Sequence, residues 1–544
     1  MKTASLAGLG LTEKIGQMLV VGFPGGAEGL TRLELAVERF AAGNVILFSR
    51  NVGSPRELFE LNAGVRRLVS ARSGIRPLVC LDQEGGVVAR IRRGVTPLPG
   101  AMALAAAVAG GRPLSELREL GRIAGVELGA LGFDWDLAPV ADVNVNPDNP
   151  VIGVRSYGED PRKVAELASA FAAGLAEAGL MATAKHFPGH GDTSVDSHLG
   201  LPLIPHGMER LEAVELLPFR RLADEGVAAV MTAHVRFPAV EPEDLPATLS
   251  ARVVQGLLRG RLGFTGLVCT DCMQMKAVAG RYPDAAALAA AAGADLVFVS
   301  HDLEAQEAAA DSIAAAVRRG DLPESRIDEA VSRIAAAKAR LREPPASWDE
   351  AASLLMAPAS TALSESLYRA SLTLVRPGEG LPPRPGALYV DVEAENLTGA
   401  EDGVARGGGR GTVSAALAGR MDSISLPAEP SPADIGRALA AAAGRDLVVG
   451  VCNAAAHPAQ VELVGRLDAL RRSGGRRLGL VSMRSPYDIR LFTGLAGAAF
   501  LCAYEYGPDS ARCVADYLAS SLPAVGRCPV GADPRPSSCI PKEA

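Results

Sequence analysis

The stretch Gly179-Leu-Met-Ala-Thr-Ala-Lys-His-Phe-Pro-Gly-His-Gly-Asp-Thr-Ser-Val-Asp-Ser-His198 decides how this chain of 544 residues is interpreted. Residues 180–186 form a short apolar run that ends in Lys185 and His186, which predicts a buried strand with a polar end. The remainder contains Pro188 and two glycines, which break regular structure, and it is rich in titratable side chains. A loop that carries acids and bases beyond a buried strand is typical of barrel enzymes. The chain is therefore predicted to be an enzyme.

Strand and helix patterns alternate through residues 1–342. Candidate strands are residues 18–22, 44–48, 77–82, 133–139, 180–186, 228–234, 266–271 and 295–300. Amphipathic helices are predicted between them at residues 55–69, 113–131, 162–178, 209–225, 251–262 and 284–292. Eight such repeats predict an α/β fold of the (β/α)8 TIM-type barrel class, although an open doubly wound sheet shows the same alternation.

The ends of the candidate strands favour the barrel over the open sheet. Five of the strands end in charged or ionisable residues, namely Asp82, Lys185-His186, His234, Asp271 and Ser300-His301. In a barrel these carboxyl ends converge on one mouth, whereas in an open sheet they spread along an edge. A single polar strand end can also be a helix N-cap or simply be solvated. Taken together, the five ends predict an active site at the mouth of a barrel.

A second, smaller α/β region follows the barrel. We predict a catalytic domain at residues 1–342, a linker at residues 343–358 and a C-terminal domain at residues 359–544. Candidate strands of the last are residues 371–375, 386–392, 423–426, 446–452, 477–482 and 497–502, with helices between them at residues 432–443 and 459–472. This alternation predicts an α/β sandwich with a mostly parallel sheet.

Composition and charge exclude several classes of function. The net charge is −7 and no basic cluster is present, which argues against a nucleic-acid partner. No segment reaches the roughly 18 apolar residues of a membrane span, and no secretory signal is recognisable at the N-terminus. The eight cysteines are scattered, as expected of buried thiols in a reducing compartment. We therefore expect a cytoplasmic protein without membrane or nucleic-acid partners; the sequence does not indicate its oligomeric state.

Three residues are candidates for catalytic chemistry. Asp271 directly follows an apolar strand, where a partly desolvated carboxylate can act as a nucleophile, although an aspartate there can also cap a helix. Asp196 lies two residues before His198, so on an extended loop the carboxylate could orient the imidazole and raise its basicity. The same spacing can also arise by chance in a polar loop.

Other residues are candidates for binding. Asp82, Arg155, Lys185 and His186 offer the paired donors and acceptors that sugar hydroxyls need, and phosphates would also suit the lysine and arginine.

A metal site is a further possibility. His190 and Asp192 together with His198 resemble a ligand set, but glycines flank His190 and no carboxylate lies at helical spacing from it. No nucleotide-binding or zinc-protease motif is present in a suitable context. We therefore predict neither a metal nor a cofactor.

These segments together resemble glycoside hydrolase family 3, and specifically its β-N-acetylglucosaminidase branch. Residues 185–198 match the signature K-H-F-P-G-H-G-D-T-x-x-D-S-H without a mismatch. Residues 81–90, 155–161, 231–235 and 262–271 match further segments of the family in the expected order, and the second region is similar to the sandwich of its two-domain members.

The resemblance implies a retaining double displacement. Asp271 would attack the anomeric carbon, and His198, oriented by Asp196, would protonate the leaving oxygen and then activate water. An imidazole thus replaces the second carboxylate of most glycosidases. The site would be less negative as a result and could admit phosphate, and some relatives are thought to be phosphorylases.

The resemblance also implies a substrate. The residues that would bind the terminal sugar are Asp82, Arg155, Lys185 and His186, with Arg90 as a further candidate. The substrate would be a peptidoglycan fragment, a disaccharide or muropeptide ending in N-acetylglucosamine, so the enzyme would serve peptidoglycan recycling. The alternatives are a family 3 phosphorylase or β-glucosidase, a catalytically silent carbohydrate-binding protein, and a metal-dependent hydrolase.

Two residues depart from the family pattern. Cys272 follows the predicted nucleophile where a second aspartate is common, and Trp135 replaces a more usual asparagine on the fourth strand. Neither departure removes a predicted catalytic group.

Overall fold

Eight parallel strands form a closed ring in the first part of the chain. The computed structural model describes residues 8–197, 200–396, 398, 400–401, 413–495, 497–520 and 522–531. The ring strands are β1 Leu19–Val21, β2 Asn44–Ile46, β3 Val79–Leu81, β4 Trp135–Asp136, β5 Thr183–Phe187, β6 Ala229–Thr232, β7 Leu267–Thr270 and β8 Val297–Val299. Neighbours pair in chain order, and β8 pairs with β1. Single parallel bridges join β4 to β5 and β7 to β8. The predicted barrel is confirmed, and the open-sheet alternative is wrong.

Helices surround the barrel and continue into the second region. They are α1 Leu11–Met18, α2 Gly29–Phe40, α3 Pro55–Ser73, α4 Ala101–Ala109, α5 Leu114–Ala130, α6 Pro161–Glu177, α7 Met208–Ala213, α8 Leu216–Asp224, α9 Ala285–Ala292, α10 Leu303–Arg319, α11 Glu324–Lys338, α12 Trp348–Ser353, α13 Pro358–Ser371, α14 Val413–Leu417, α15 Pro432–Ala442, α16 Pro458–Ser473 and α17 Pro508–Ser520. Residues Arg252–Arg261 form a π-helical segment, and Gln83–Gly85 pairs with Val88–Ala89 in a short hairpin.

Local sequence signals fix where several helices begin. Before α3, the Ser54 hydroxyl accepts a hydrogen bond from the Glu57 backbone N–H, and the Glu57 carboxylate accepts one from the Ser54 backbone. Pro55 occupies the first helical position, where its missing N–H costs nothing. Asp160 caps α6 by itself, its carboxylate accepting from two backbone N–H groups.

One predicted helix is broken in the structure. Residues 209–225 form α7 and α8, which are separated at Val214 and Glu215. The break turns Glu215 inward, where Arg210 Nη1 donates to both of its carboxylate oxygens at 2.8 Å. Both short helices bury apolar side chains such as Leu211 and Phe219, so the apolar periodicity continues through the break and the sequence pattern does not show it.

The second region is an α/β sandwich. Its strands are β9 Thr373–Arg376, β10 Leu388–Val392, β11 Asp422–Leu426, β12 Leu447–Val451, β13 Leu478–Ser482 and β14 Phe500–Cys502, in the order β9-β14-β13-β12-β10-β11. Only β9 runs antiparallel within this sheet of described strands. Val448 of β12 packs in one apolar cluster with α17, and Val449 packs in another with α15 and α16, as the alternation of strand side chains requires. The predicted sandwich with a mostly parallel sheet is confirmed.

The sandwich packs against the barrel near the site. Met102 and Ala103 of α4 and Val88 of the hairpin belong to the same apolar cluster as α17. Polar contacts add to this packing, since Asn144 Nδ2 donates to Tyr487 Oη at 3.1 Å. The second region thereby reaches residues that follow barrel strands β3 and β4.

The segment between the two regions also packs on the barrel. It includes α12, whose Trp348 ring lies 6.0 Å from the Phe59 ring of α3. Among the described helices, none combines the length and the apolar character needed to cross a bilayer.

Candidate active site

A cavity of about 510 Å³ lies at the carboxyl ends of the barrel strands. Its polar lining includes Arg50, Asp82, Glu84, Arg90, Arg155, Lys185, His186, His190, Ser197, Asp271, Cys272, Ser300 and His301. Four of the five polar strand ends singled out from the sequence therefore share one cavity. The exception is His234, which does not contribute to the lining.

Two carboxylates and three cations form a buried network at one side of the cavity. Lys185 Nζ donates to Asp82 Oδ1 at 2.8 Å and lies 2.6 Å from Glu84 Oε1. Arg155 donates to both oxygens of Glu84 at 2.9 and 2.8 Å, and Arg90 Nη2 donates to Asp82 Oδ2 at 3.0 Å. Such a network holds each charged group in a fixed orientation.

The cations keep both carboxylates ionised. Burial alone would raise the pKa of Asp82 and of Glu84, because it disfavours the charged form. The charges of Lys185 and Arg90 outweigh burial at Asp82 and hold its pKa well below the usual range. Arg155 and Lys185 together lower the pKa of Glu84 to about 2. The network therefore presents charged donors and acceptors to any ligand at neutral pH.

Glu84 is a residue that the sequence analysis missed. It lies in the short hairpin after β3, where successive side chains point to opposite faces. Gln83 Nε2 donates to the Ile91 carbonyl at 2.9 Å and Gln83 Oε1 accepts from the Ile91 backbone N–H at 3.0 Å, so Gln83 points away and Glu84 faces the cavity. The sequence did offer a signal for Glu84, because it is a second acid two residues after Asp82 in a segment rich in glycine.

Asp142 is a second missed residue, and it holds two histidines. Its Oδ2 lies 2.7 Å from His186 Nδ1, and its Oδ1 accepts from the His190 backbone N–H at 2.7 Å. Because a carboxylate can only accept a hydrogen bond, His186 carries a proton on Nδ1. Its Nε2 is not engaged by Asp142. Asp142 thus fixes the ring orientation of His186 at the cavity wall.

Both ring nitrogens of His190 contact hydroxyl groups of its own loop. Thr193 Oγ1 donates to the His190 carbonyl at 3.0 Å and lies 2.8 Å from His190 Nδ1, while Nε2 lies 3.0 Å from Ser197 Oγ. Burial lowers the pKa of His190 to about 4, so the ring is neutral at physiological pH. These contacts tie the start of the loop to Ser197, which lines the cavity.

Two glycines allow the loop to lie close to its neighbours. A Cβ at Gly191 would fall 1.9 Å from the Val143 carbonyl oxygen, and Gly189 has a φ of +143°. A larger side chain at Gly191 would collide with the Val143 backbone, and a side chain at Gly189 would strain the backbone. The bend predicted from the sequence at these positions is therefore present.

The predicted acid/base pair is only partly within the described residues. Asp196 is buried, and its carbonyl accepts from the Gly200 backbone N–H at 3.1 Å. The adjoining Ser197 lines the cavity. His198 lies outside the described residues, so its contact with Asp196 stays a prediction.

Asp271 lines the cavity directly after β7. The Cys272 backbone N–H donates to Asp271 Oδ1 at 2.7 Å, which orients the carboxylate. His234 contributes indirectly, because its Nε2 lies 3.0 Å from the Cys272 carbonyl oxygen and its Nδ1 lies 2.9 Å from Thr248 Oγ1. His234 thus supports the backbone beyond Asp271, which explains why this strand end does not face the cavity.

The two departures from the family pattern lie in different surroundings. Cys272 lines the cavity beside Asp271. Trp135 is fully buried inside the barrel, where its Nε1 donates to Thr183 Oγ1 at 2.5 Å and its ring meets Phe298 edge-on at 5.6 Å. Trp135 therefore fills the barrel core and does not contribute to the cavity.

The outer wall of the cavity carries a positive charge. The Arg50 guanidinium lies 4.4 Å from the centre of the Phe48 ring and donates to the Ser300 carbonyl at 2.9 Å. Its Nη1 lies 3.3 Å from His301 Nδ1. Burial and the charge of Arg90 lower the pKa of Arg50, and the charge of Asp302 opposes this shift. Among the described residues, no carboxylate lies within ion-pair distance of Arg50. An anionic group of a ligand would be favoured at this wall.

One group of side chains could hold a metal ion among the described residues. Ligand atoms of Asp192, His206 and Glu215 lie within 4.8 Å of one another. His206 Nε2 lies 2.5 Å from Asp192 Oδ2, and Arg210 already neutralises Glu215. None of the three lines the cavity, so the group lies apart from the predicted catalytic residues.

The arrangement suits the binding of a hydroxyl-rich ligand next to a reactive carboxylate. Fixed charged donors and acceptors surround one part of the cavity, and Asp271 lies in the same lining. A carboxylate held this way can attack an electron-poor carbon of a bound ligand.

Known glycoside hydrolases are similar to this chain. Residues 10–337 match the family described as "Glycosyl hydrolase family 3 N terminal domain". A solved structure, a glycoside hydrolase family 3 β-N-acetylglucosaminidase from Paenibacillus sp. str. FPU-7, is similar with a TM-score of 0.85 and 36% identity, over 96% of this chain and 99% of that chain.

Curated relatives are also similar to this chain. "Beta-hexosaminidase A" of Pseudoalteromonas piscicida is 32% identical over 375 residues, which are 65% of this chain and 62% of that protein. "Beta-hexosaminidase" of Alkalilimnicola ehrlichii is 42% identical over 271 residues, 48% of this chain and 75% of the relative. The chain thus spans less than two thirds of the first relative's length and three quarters of the second's.

Proposed function

The chain belongs to glycosyl hydrolase family 3 and is a glycoside hydrolase, and from this premise we propose that it is a retaining, exo-acting β-N-acetylglucosaminidase. The observation that carries the proposal is the shared cavity of Asp271 and the charged network around Lys185. The similar Paenibacillus structure is that of a β-N-acetylglucosaminidase, and the curated relatives are β-hexosaminidases, which supports the proposed sugar specificity.

The first chemical step is the formation of a glycosyl ester. A carboxylate oxygen of Asp271 bonds to the anomeric carbon while the bond from that carbon to the leaving oxygen breaks. The His198 imidazolium gives its proton to the leaving oxygen, and Asp196 stabilises the imidazolium and sets its orientation. The aglycone leaves with that proton.

The second step hydrolyses the ester. Neutral His198 takes a proton from a water molecule, whose oxygen attacks the anomeric carbon and releases Asp271 as a carboxylate. Two inversions at the same carbon leave its configuration retained.

The terminal sugar is held by the charged network throughout both steps. We assign Asp82, Arg90, Arg155, Lys185 and His186 to the binding of its hydroxyl and amide groups. Their fixed orientation supports this assignment, because hydrogen bonds that are already oriented lose little entropy when a sugar binds.

The natural substrate is a peptidoglycan fragment with terminal N-acetylglucosamine, used in a cytoplasmic recycling route. Arg50 supports an anionic aglycone, because its guanidinium lines the outer wall without a described carboxylate partner. A muropeptide carries carboxylates that could meet this charge. The enzyme needs no cofactor for either step.

An assay with a panel of nitrophenyl glycosides tests the proposal. We expect rapid hydrolysis of the β-N-acetylglucosaminide, little hydrolysis of the β-glucoside and no acceleration by inorganic phosphate. Formation of a sugar 1-phosphate would support the phosphorylase alternative, for which the positive outer wall is the favouring observation. Loss of activity with a chelator would support metal dependence, and a wild-type protein that binds N-acetylglucosamine without turnover would be a silent binding protein.

A further inference from the structure

The C-terminal domain contributes two residues to the lining of the cavity, Ala400 and Glu401. The Glu401 side chain does not face the solvent, since its exposed fraction is 0%. Its carboxylate forms an ion pair with Arg484 and accepts from Tyr506 Oη at 2.8 Å. Glu401 is therefore anchored in the sandwich, while the chain next to it faces the barrel.

The side chains that hold Glu401 lie at the carboxyl edge of the sandwich sheet. Arg484 follows β13 and Tyr506 follows β14, and Arg484 Nη1 also donates to Asn453 Oδ1, just beyond β12, at 2.8 Å. Three neighbouring parallel strands thus position the groups that hold Glu401. This edge is the part of a parallel sheet where ligand-facing residues are normally found.

A short series of hydrogen bonds connects the chain next to Glu401 with Asp82, one of the residues assigned to the terminal sugar. The Ala400 carbonyl accepts from Arg90 Nη1 at 2.8 Å, and Nη2 of the same guanidinium donates to Asp82 Oδ2 at 3.0 Å. The two nitrogens belong to one rigid plane, so the position of the Ala400 carbonyl determines how Arg90 meets Asp82.

We propose that Glu401 is a positioning residue for the sugar site, acting through Ala400 and Arg90 on Asp82. The inference rests on the proposed function, because it assigns Asp82 to sugar binding, and it gives the C-terminal domain a role in that binding. Without the charge of Glu401, the buried Arg484 loses its ion pair and, among its described side-chain hydrogen-bond partners, keeps only the neutral Asn453, so the chain at Ala400 is no longer held firmly against Arg90.

The effect should fall on binding and not on the rate of bond cleavage. Asp82 belongs to the network around Lys185, while Asp271, His198 and Asp196 carry the chemistry of the proposed mechanism. An interaction made equally in the bound substrate and in the transition state changes KM and leaves kcat unaltered.

The experiment compares Glu401→Gln with a matched control, Asp468→Asn. Asp468 is also a buried carboxylate of the sandwich, bonded to Arg471 and Arg472 at 2.7 Å on α16, and it does not line the cavity. We expect Glu401→Gln to raise KM for the nitrophenyl N-acetylglucosaminide, and Kd for free N-acetylglucosamine measured by calorimetry, by about tenfold. Its kcat should stay within about twofold of wild type, and Asp468→Asn should change none of the three constants.

Equal effects of the two variants, or a change in melting temperature without a change in Kd, would overturn the inference. If Glu401→Gln does not fold, Arg484→Lys provides the second test, because it keeps a cation beside Glu401 but removes the planar fork. It should raise Kd in the same direction by a smaller factor, and an unchanged Kd would again overturn the inference. An inactive wild-type protein would instead contradict the proposed function, so the two failures are distinguishable.

Discussion

Two buried lysines lie at opposite ends of the barrel and have opposite electrostatic surroundings. Lys185, at the carboxyl ends of the strands, contacts the carboxylates of Asp82 and Glu84. Lys338, on α11, donates to Gln17 Oε1 at 2.8 Å and to the Gly43 carbonyl at 3.3 Å, both of which precede the first two strands. The first lysine thus has anionic partners and the second has neutral ones.

The pKa values of the two lysines follow from these partners. Burial lowers the pKa of both, because it disfavours the ammonium form. At Lys185 the two carboxylates outweigh burial and raise the pKa above its ordinary value. At Lys338 burial dominates and lowers the pKa to about 7. The comparison agrees with the general division of such barrels into a mouth that carries chemistry and an opposite end that carries stability.

The most severe change at the mouth is Asp271→Asn, which should reduce kcat by about 10⁴-fold or more. The amide has the same shape but cannot form the glycosyl ester, so the melting temperature should stay near that of wild type. Turnover of the nitrophenyl substrate and thermal unfolding measure the two effects. Trapping a slow substrate analogue on the wild-type protein and finding its ester at another residue would contradict the assignment.

A second change at the mouth, His198→Ala, should depend on the leaving group. A poor alkyl leaving group needs protonation, so its rate should fall about 10³-fold, whereas an activated aryl group should lose far less. Added azide or formate, measured with the aryl substrate, should restore part of the rate at the second step. Equal losses across a series of leaving groups would argue against the acid/base role.

Removing the cation at the mouth tests the first half of the comparison. Lys185→Met leaves Asp82 and Glu84 buried with one partner fewer, which should cost about 3 kcal/mol of unfolding free energy. The catalytic efficiency kcat/KM should fall by about 100-fold, because the sugar site loses its central donor. Urea unfolding and steady-state kinetics measure these effects, and unchanged kinetics would remove Lys185 from the sugar site.

The smallest effect is expected at the opposite end of the barrel. Lys338→Met should leave kcat and KM unchanged, and it is the matched control for Lys185→Met. The folded protein releases the Lys338 proton near pH 7 and the unfolded chain near 10.5, so unfolding takes up a proton between these values. The contribution of Lys338 to stability should therefore rise with pH from about 7 to about 10.5, and it should be largely lost as the pH falls to 7.

The Met variant lacks this titration, so the difference in unfolding free energy between the two proteins should change by roughly 2 kcal/mol from pH 7 to 9. Urea unfolding of both proteins across this range measures it. A difference that is independent of pH would show that Lys338 is charged in the folded protein.

Much of this architecture was predictable, because barrel strands are short, apolar and buried on both sides. The runs ending at Asp82, His186 and Asp271 coincide with β3, β5 and β7 to within a few residues. Their polar ends also predicted the shared cavity, since the carboxyl ends of ring strands necessarily converge. The closed ring of parallel strands brings polar residues that are distant in the sequence together in one cavity.

The missed residues depend on contacts between distant segments. Asp142 meets His186 across 44 positions of sequence, and Glu84 meets Arg155 across 71. An acid in a loop has no local pattern that distinguishes a buried partner from a solvated side chain. The burial of Lys338 was not predicted either, because a lysine near the end of a helix usually lies in solvent.

The closed ring and the open sheet differ in their exposure to self-association. The eight-stranded barrel has no free edge, whereas β11 of the sandwich pairs only with β10 among the described strands. An unpaired edge can template strands from other molecules and so nucleate aggregates. The ion pair of Asp422, the first residue of β11, with Arg445 places charge where an incoming strand would dock. Concentrated or heated solutions of this protein should consequently aggregate through the sandwich first, with neutralisation of that ion pair accelerating the process.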